Sequence, residues 1–115
     1  MHAWGLVNMK VRYYIFQMPI SNKNIFRHYD AVDAVDMDDY VPVYTGELEI
    51  NSQVNIENYL EDLFMIFNVK HPEGFAAHSL STSDVIMIRF DDHNEYYYCD
   101  WAGYKKLNGE KKFKG

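Results

Sequence analysis

The sequence predicts a single α+β domain, in which a small antiparallel sheet is packed by one or two helices. Residues with β-branched and aromatic side chains alternate near both ends of the chain, whereas an apolar stripe with helical spacing lies between them. Strands at both ends with helices between them favour this architecture. A chain of 115 residues with 48% hydrophobic content is long enough to bury one modest core.

The first half of this domain is predicted to contain two strands and a short helix. The run KVRYYIFQM predicts a strand from Lys10 to Met18. Apolar residues with helical spacing predict a short helix from Ile25 to Val35, followed by an acidic loop at 36–39. A second strand is expected from Val41 to Leu48, interrupted by a bulge or turn at Thr45-Gly46.

A second helix, from Ile56 to Phe67, has the clearest pattern in the chain. Asn55 is a suitable N-cap, because its side chain can accept a hydrogen bond from the first turn. One stripe is predicted to face the sheet, and Tyr59, Phe64 and Ile66 are expected to broaden it. The stripe consists of Ile56, Leu60, Leu63 and Phe67.

The last third of the domain is predicted to form a β-meander after a long connecting loop at 71–83. The pattern predicts a strand from Asp84 to Phe90, a hairpin loop at 91–94, and a return strand from Glu95 to Trp101. A last short strand is expected from Tyr104 to Leu107.

The domain is expected to cover residues 9–107, with an N-terminal extension at 1–8 and a basic, disordered tail at 108–115. No apolar run approaches the roughly 20 residues that span a bilayer, and the N-terminus lacks a signal-peptide pattern. Cys99 is the only cysteine, so no intramolecular disulfide can form. These observations predict a cytoplasmic protein without membrane association.

Charge is distributed unevenly along the chain. Residues 1–29 carry +4, residues 30–100 carry −14 from 16 acids and two bases, and residues 101–115 carry +4. The acidic block either keeps an aromatic-rich protein in solution or binds a basic groove on a partner. Direct nucleic-acid binding by the main body is disfavoured, because phosphate contacts need clustered Lys and Arg.

Four residues are weak candidates for catalysis: His71, His78, Asp84 and Asp100. Imidazole and carboxylate groups can bind a divalent metal or transfer protons. Their spacing matches no recognised metal motif, so a structural role in the loop is the alternative, with His78 forming hydrogen bonds that fix the loop. No cofactor and no metal site is predicted.

The Ser/Thr cluster at 79–83 and Cys99 are expected to be structural. No Gly-x-Ser-x-Gly elbow surrounds the serines, and Ser/Thr side chains ahead of a strand commonly bond to nearby backbone. Cys99 lies inside a strand with no basic neighbour in the sequence, which predicts a buried, inert thiol.

Two groups of residues are candidates for partner binding. The first combines the hairpin acids Asp91, Asp92 and Glu95 with Tyr97 and Trp101 as aromatic anchors, since aromatic residues dominate interface hot spots. The second consists of Asp36, Asp38 and Asp39. The hairpin group is favoured, because its tip precedes an aromatic strand.

Several segments resemble the YodL-like domain, a small module of phage, plasmid and integrative-element proteins. The segments are HPEGF at 71–75, HSLS at 78–81 with SDV at 83–85, YYCD at 97–100 with Gly103-Tyr104, and, upstream, YYIFQ at 13–17, Tyr29-Asp30 and VYTGEL at 43–48. The resemblance covers residues 9 to 107.

The resemblance implies an anti-defence protein of a mobile element, acting in the cytoplasm of the host bacterium. Relatives in anti-defence loci include anti-CRISPR proteins, which makes Cas9 or its guide RNA complex the expected partner. Inhibition is expected to occur by occupancy, because an acidic surface suits the basic channel that holds the guide heteroduplex. The alternatives are a metal-assisted nuclease acting on RNA and an antirestriction or regulatory module.

Overall fold

The computed structural model describes residues 8–51, 53–69 and 78–115. In chain order the elements are β1 (Asn8–Gln17), β2 (Val35–Asp36), β3 (Val41–Asn51), α1 (Ile56–Val69), β4 (Val85–Arg89), β5 (Asn94–Cys99), β6 (Tyr104–Lys106) and β7 (Phe113–Lys114). Short 3-10 turns occupy Tyr29–Ala31 and Met37–Asp39. None of the helices in these ranges is long and apolar enough to cross a membrane.

Five of the strands form an antiparallel sheet in the order β3-β1-β4-β5-β6. β1 lies between β3 and β4, and the remaining strands follow as a meander. The other two, β2 and β7, form a small parallel pair. The predicted α+β class with an antiparallel sheet is therefore confirmed, with a single α-helix among the described residues.

Both faces of the five-stranded sheet are covered. Successive side chains of a strand point to opposite faces, and the alternate residues of β1 and β5 belong to two different buried clusters. Along β1, Val11, Tyr13 and Ile15 join one buried cluster, whereas Phe16 packs against a second cluster. The tyrosines of β5 alternate in the same way, with Tyr97 in the first cluster and Tyr98 in the second. The sheet is thus the middle layer of the domain.

Helix α1 covers the first face of the sheet, as predicted. Its Asn55 cap is confirmed, because Oδ1 of Asn55 accepts a hydrogen bond from the backbone N of Glu57 at 3.0 Å. Leu60, Leu63 and Phe67 are fully buried. The expected broadening of the stripe is wrong at Phe64 and Ile66, which are exposed, because the sheet contacts only one narrow face of the helix.

The segment from Ile25 to Val35 does not form the predicted helix. Phe26 has a left-handed backbone with φ of 65°, which ends helical geometry for a residue with a side chain. The backbone N of Phe26 donates a hydrogen bond to Ser83 Oγ at 2.9 Å, so a distant contact fixes this conformation. The segment instead lays Tyr29 and Val32 against the second face of the sheet.

The C-terminal tail packs on the same face, which corrects the expectation of disorder for residues 108–115. Phe113 pairs with Val35 through the parallel strands and contacts the Tyr96 ring. The ammonium group of Lys112 donates hydrogen bonds to the carbonyls of Tyr29 at 2.6 Å and Val32 at 2.9 Å. The composition of the tail suggested disorder, but Tyr29, Val32 and Val35, which hold it, lie about 80 residues away in sequence.

The predicted irregularity at Thr45-Gly46 of β3 is misplaced by a few residues. Thr45 and Gly46 pair regularly with Tyr14 and Tyr13, whereas the register shifts at Ile15, beside Val43. Gly46 is needed for a different reason: a Cβ there would lie 2.6 Å from the hydroxyl oxygen of Tyr13. The absence of a side chain lets the Tyr13 ring lie against β3.

We expect Leu63→Ala to lower the free energy of unfolding by about 2–5 kcal/mol, through lost burial and a residual cavity. Urea denaturation monitored by circular dichroism measures the change. Met65→Ala is the matched control on the same helix, because Met65 is 60% exposed; its effect should stay within about 0.5 kcal/mol. A Leu63→Ala effect as small as that of the control would contradict the packing described for α1.

Candidate partner-binding cleft

A surface cleft of about 440 Å³ lies between α1, the loop before β4 and the β5–β6 turn. Its volume is within the range of about 300–1,000 Å³ that is usual for binding sites. The lining residues are Glu61 and Phe64 from α1, Leu80, Ser81 and Thr82 from the loop, and Cys99, Asp100, Trp101, Gly103 and Tyr104 from the turn region. Three elements distant in sequence therefore form one concave surface.

Trp101 stands at this cleft with 72% of its surface exposed, and hydrogen bonds fix its backbone. Asp100 Oδ1 accepts from the backbone N of Trp101 at 2.9 Å and from that of Tyr29 at 3.1 Å. Gly103 closes the turn with φ of 90°, a conformation that favours glycine. The His28 ring lies against the indole, with ring centroids 4.3 Å apart. The exposed indole is therefore held in place before any partner arrives.

The wall formed by α1 is tied to β6 through a side-chain hydrogen bond. The hydroxyl of Tyr104 donates to the carbonyl of Leu60 at 3.1 Å. Glu61 and Phe64 follow Leu60 on the helix and line the cleft from that side. The aromatic rings of Phe64, Trp101 and Tyr104 consequently share one cavity.

A buried carboxyl group supports the loop wall of the cleft from behind. Asp84 is fully buried, and its Oδ2 accepts hydrogen bonds from the backbone N of Ser81 at 2.8 Å and from Nε2 of Gln17 at 3.0 Å. The same Gln17 nitrogen donates to the His78 carbonyl at 2.9 Å. The backbone carbonyl of Asp84 accepts from Cys99 N at 2.8 Å. These bonds join the loop to the ends of β1 and β5.

Burial raises the pKa of Asp84 from 3.8 to about 7, although the hydrogen bonds from Ser81 and Gln17 lower it. Desolvation disfavours the charged carboxylate, so the neutral acid predominates in the folded protein below neutral pH.

His78 lies beside Asp84, so two of the four weak catalytic candidates are brought together. Nδ1 of His78 lies 2.7 Å from the Ser79 carbonyl and 3.2 Å from Nε2 of Gln17. Nε2 lies 3.9 Å from Asp84 Oδ1, and neither atom has a hydrogen-bond partner among the described residues. The predicted role of His78 in fixing the loop agrees with these contacts.

Of the other two catalytic candidates, the structure describes only Asp100. His71 lies outside the described residues. Asp100 binds the backbone at the β5–β6 turn. Within residues 8–51, 53–69 and 78–115, no group of three or more His, Cys, Asp or Glu side chains is placed to hold a metal ion.

The serine cluster and Cys99 have the structural contacts that the sequence predicts. Ser81 Oγ donates to the Ser79 carbonyl at 2.8 Å. Ser83 has φ of 81°, and its carbonyl accepts a hydrogen bond from the Tyr40 hydroxyl at 2.6 Å. Burial raises the pKa of the Cys99 thiol well above its usual value, so the reactive thiolate is disfavoured.

Two acids of the β4–β5 hairpin tip, Asp92 and Glu95, are bound by neighbouring side chains. Both ring nitrogens of His93 face carboxylates, at 2.6 Å from Asp92 and 2.8 Å from Glu95. Hydrogen bonds to Glu95 and Asp92 raise the pKa of His93. Burial raises the pKa of Glu95, but hydrogen bonds from Tyr97 and His93 and the Lys106 ammonium outweigh it, so this pKa is lowered. Asp91 and Asp92 are exposed.

The prediction that Tyr97 is an exposed aromatic anchor beside this tip is wrong. Tyr97 is only 4% exposed, because α1 covers the sheet face to which it points. Trp101 is exposed but lies at the opposite end of the six-residue strand β5, roughly 20 Å from the tip at about 3.3 Å per residue. The predicted hairpin group is therefore two separate surfaces.

Two of the three acids in the second predicted group are exposed. Asp38 and Asp39 are exposed, whereas Asp36 is half-buried and accepts a hydrogen bond from the backbone N of Asp38 at 3.0 Å. Asp36 therefore caps the 3-10 turn, and Asp38 and Asp39 remain available to a partner.

Gln17, Glu61 and Phe64 are among the residues of the cleft region that the sequence did not single out as functional. A signal for Gln17 was present, because it shares the alternation of Val11, Tyr13 and Ile15 and so had to point into the interior. A polar side chain at such a position indicates a buried hydrogen-bonding partner. Glu61 and Phe64 had no comparable signal, since their role depends on where the β5–β6 turn packs.

The model of the YodL-like domain family matches residues 11–109. The chain belongs to the YodL-like domain family. The match includes β1 from residue 11 onward, the other four strands of the main sheet, α1 and every residue of the cleft, so the family resemblance seen in the sequence is confirmed. Neither a search of curated proteins nor one of solved structures gave a match.

In this YodL-like domain we expect Asp84 to make folding less favourable as pH rises. Its folded pKa of about 7 exceeds the ordinary value of 3.8, so the protonated carboxyl stabilises the fold fully below about pH 4. That contribution is lost as pH rises through about 7. The change corresponds to about 4 kcal/mol at most.

The variant Asp84→Asn isolates this effect, because the amide resembles the protonated acid. Urea denaturation should show it to be as stable as the wild type near pH 3 and more stable near pH 8, with the difference growing between about pH 4 and pH 7. Asp91→Asn removes an exposed carboxylate and should keep the wild-type pH profile. Parallel profiles for Asp84→Asn and the wild type would contradict a raised pKa at Asp84.

Proposed function

We propose that this protein is an anti-defence accessory protein of a mobile genetic element, which binds a host defence protein and inhibits it by occupancy. The observation that carries the proposal is the exposed Trp101 at a preformed cleft. Tryptophan is among the residues most enriched in interface hot spots. Contact between its apolar ring and water is unfavourable, and a partner that covers the ring removes this contact. The family resemblance supports the origin in a mobile element.

The proposed target is Cas9 or its guide RNA complex. Residues 30–100 carry a net charge of −14, and such a surface is attracted to the positively charged channel in which Cas9 holds its heteroduplex. Charge complementarity accelerates encounter, whereas buried aromatic contacts slow dissociation. An antirestriction or regulatory role would use the same surfaces on a different partner.

A metal-assisted nuclease is the second candidate, because His78 and Asp84 lie side by side. Two features of the pair favour occupancy over this chemistry. Asp84 is fully buried and already accepts two hydrogen bonds through Oδ2, and its raised pKa favours a neutral acid, which is a poor metal ligand.

The decisive experiment titrates the protein against a fixed concentration of the Cas9–guide complex and measures DNA cleavage. Occupancy predicts that inhibition becomes complete only near or above one molecule per target. Degradation of RNA or DNA at substoichiometric protein, abolished by EDTA, would instead identify a nuclease. Binding measured before and after loading of the guide RNA shows whether the RNA competes for the same channel.

We expect Trp101→Ala to weaken binding by about 30-fold, equivalent to about 2 kcal/mol at a hot spot. Ile20→Ala is the control, because Ile20 is also exposed and apolar but does not line the cleft. Equal affinities of both variants and the wild type would remove the cleft from the interface.

Charge reversal separates the acidic surfaces from the cleft. Reversal at Asp38 and Asp39, or at Asp91 and Asp92, should slow association and reduce its salt dependence if that group faces the partner. Because Asp92 is already bound to His93 at 2.6 Å, we expect the smaller effect for Asp91 and Asp92. Association rates measured at several salt concentrations provide the comparison.

A further inference from the structure

We propose that the cleft at Trp101 is a receptor for an arginine side chain of the partner. This inference rests on the proposed function only in assuming a protein partner, and it names the chemical group that enters the cleft. The lining combines three aromatic rings with two carboxylates, Glu61 and Asp100, and contains no Lys, Arg or His from the described residues. Such a lining complements a cation that also has a flat, weakly hydrated surface.

The aromatic part of the cleft is arranged for stacking. Trp101 is the ring best suited to attract a cation over its face, and 72% of the residue is exposed. His28 lies against the indole and holds it, and the Tyr104 hydroxyl is bound to the Leu60 carbonyl. Two of the three rings are therefore fixed before binding, which limits the entropy lost when a guest enters.

The two carboxylates differ in the number of hydrogen bonds that they already accept from the protein. Asp100 Oδ1 already accepts two backbone hydrogen bonds, so it supplies a fixed negative charge. Glu61 is exposed on α1 and has no ion-pair or hydrogen-bond partner among the residues described. A guanidinium group can donate two parallel hydrogen bonds to a free carboxylate, and Glu61 is the carboxylate available for them.

The described lysines that follow the β5–β6 turn, Lys105, Lys106 and Lys112, are engaged outside the cleft. Lys105 pairs with Glu110 at 3.7 Å, and Lys106 pairs with Glu95 at 3.4 Å. Lys112 donates to the carbonyls of Tyr29 and Val32. Among the residues that the structure describes, no Lys or Arg therefore lines the cleft beside Glu61 and Asp100.

Arginine is favoured over lysine by the shape of the site. The guanidinium plane can stack on an aromatic face while its edge binds a carboxylate, whereas an ammonium group is a compact, strongly hydrated charge. A side chain that lies between Trp101 and Glu61 can use both interactions of a guanidinium at once. A basic channel of a nucleic-acid-binding protein exposes arginines of this kind.

The test titrates the whole protein with three peptides, Ala-Arg-Ala, Ala-Lys-Ala and Ala-citrulline-Ala, each blocked at both ends. Nuclear magnetic resonance follows the indole N–H of Trp101 and the backbone amides of 80–82 and 100–104. We expect saturable shifts at these positions with the arginine peptide, at least threefold weaker binding of the lysine peptide, and no saturable shift with citrulline. Citrulline has nearly the same shape without the charge, so it isolates the electrostatic contribution.

A pair of matched variants on α1 identifies the carboxylate. Glu61→Gln should weaken the arginine peptide about fivefold, equivalent to about 1 kcal/mol for one exposed charge pair. Asp62→Asn changes the net charge equally, but Asp62 does not line the cleft, so its affinity should stay within about twofold of the wild type.

Equal binding of arginine and citrulline peptides, shifts confined to the hairpin at 91–93, or no saturation at tens of millimolar would each overturn the proposal. Because this titration uses no defence protein, its outcome is separate from that of the cleavage assay. If the cleft binds arginine but the protein does not inhibit Cas9, the arginine site is supported and Cas9 is rejected as the target.

Discussion

The buried carboxyl of Asp84 is the constraint on which the arrangement of the cleft depends. Its side chain accepts hydrogen bonds from the loop at Ser81 and from Gln17 at the end of β1, and its backbone binds Cys99 on β5. Removing a charge from water is costly, and the raised pKa of Asp84 shows that the protein reduces this cost by favouring the neutral acid. Stability is thereby linked to pH at the point where three elements meet.

The hydrogen bonds of Asp84 position segments that lie at the protein surface. The loop held by Asp84 provides one wall of the cleft, the β5–β6 turn presents Trp101, and α1 supplies Glu61. Neither the loop nor the turn belongs to regular secondary structure, yet each is bound to the sheet by hydrogen bonds from side chains. A preformed recognition surface on irregular segments is what a protein that acts by occupancy requires.

Elements with a local sequence pattern were predicted correctly. The prediction was wrong where contacts with residues distant in sequence determine the backbone conformation. Alternation in β1 and the apolar stripe of α1 gave the sheet, the helix and its Asn55 cap. The segment 25–35 has helical spacing, but the left-handed Phe26, bonded to Ser83, overrides it. Tyr97 was expected on the surface, but it points to the sheet face that α1 covers. The cleft itself joins residues separated by up to 43 positions, from Glu61 to Tyr104, and no periodicity encodes that contact.

The state of Asp84 can be read directly from the carboxyl carbon resonance of its side chain, recorded from pH 4 to pH 9 on selectively labelled protein. The account predicts a midpoint near pH 7, because burial raises this pKa. It also predicts that the backbone amide of Ser81 shifts over the same pH range, since its N–H donates to Asp84 Oδ2. A midpoint near pH 4 with a constant Ser81 resonance would contradict the buried, neutral carboxyl from which the loop wall of the cleft is built.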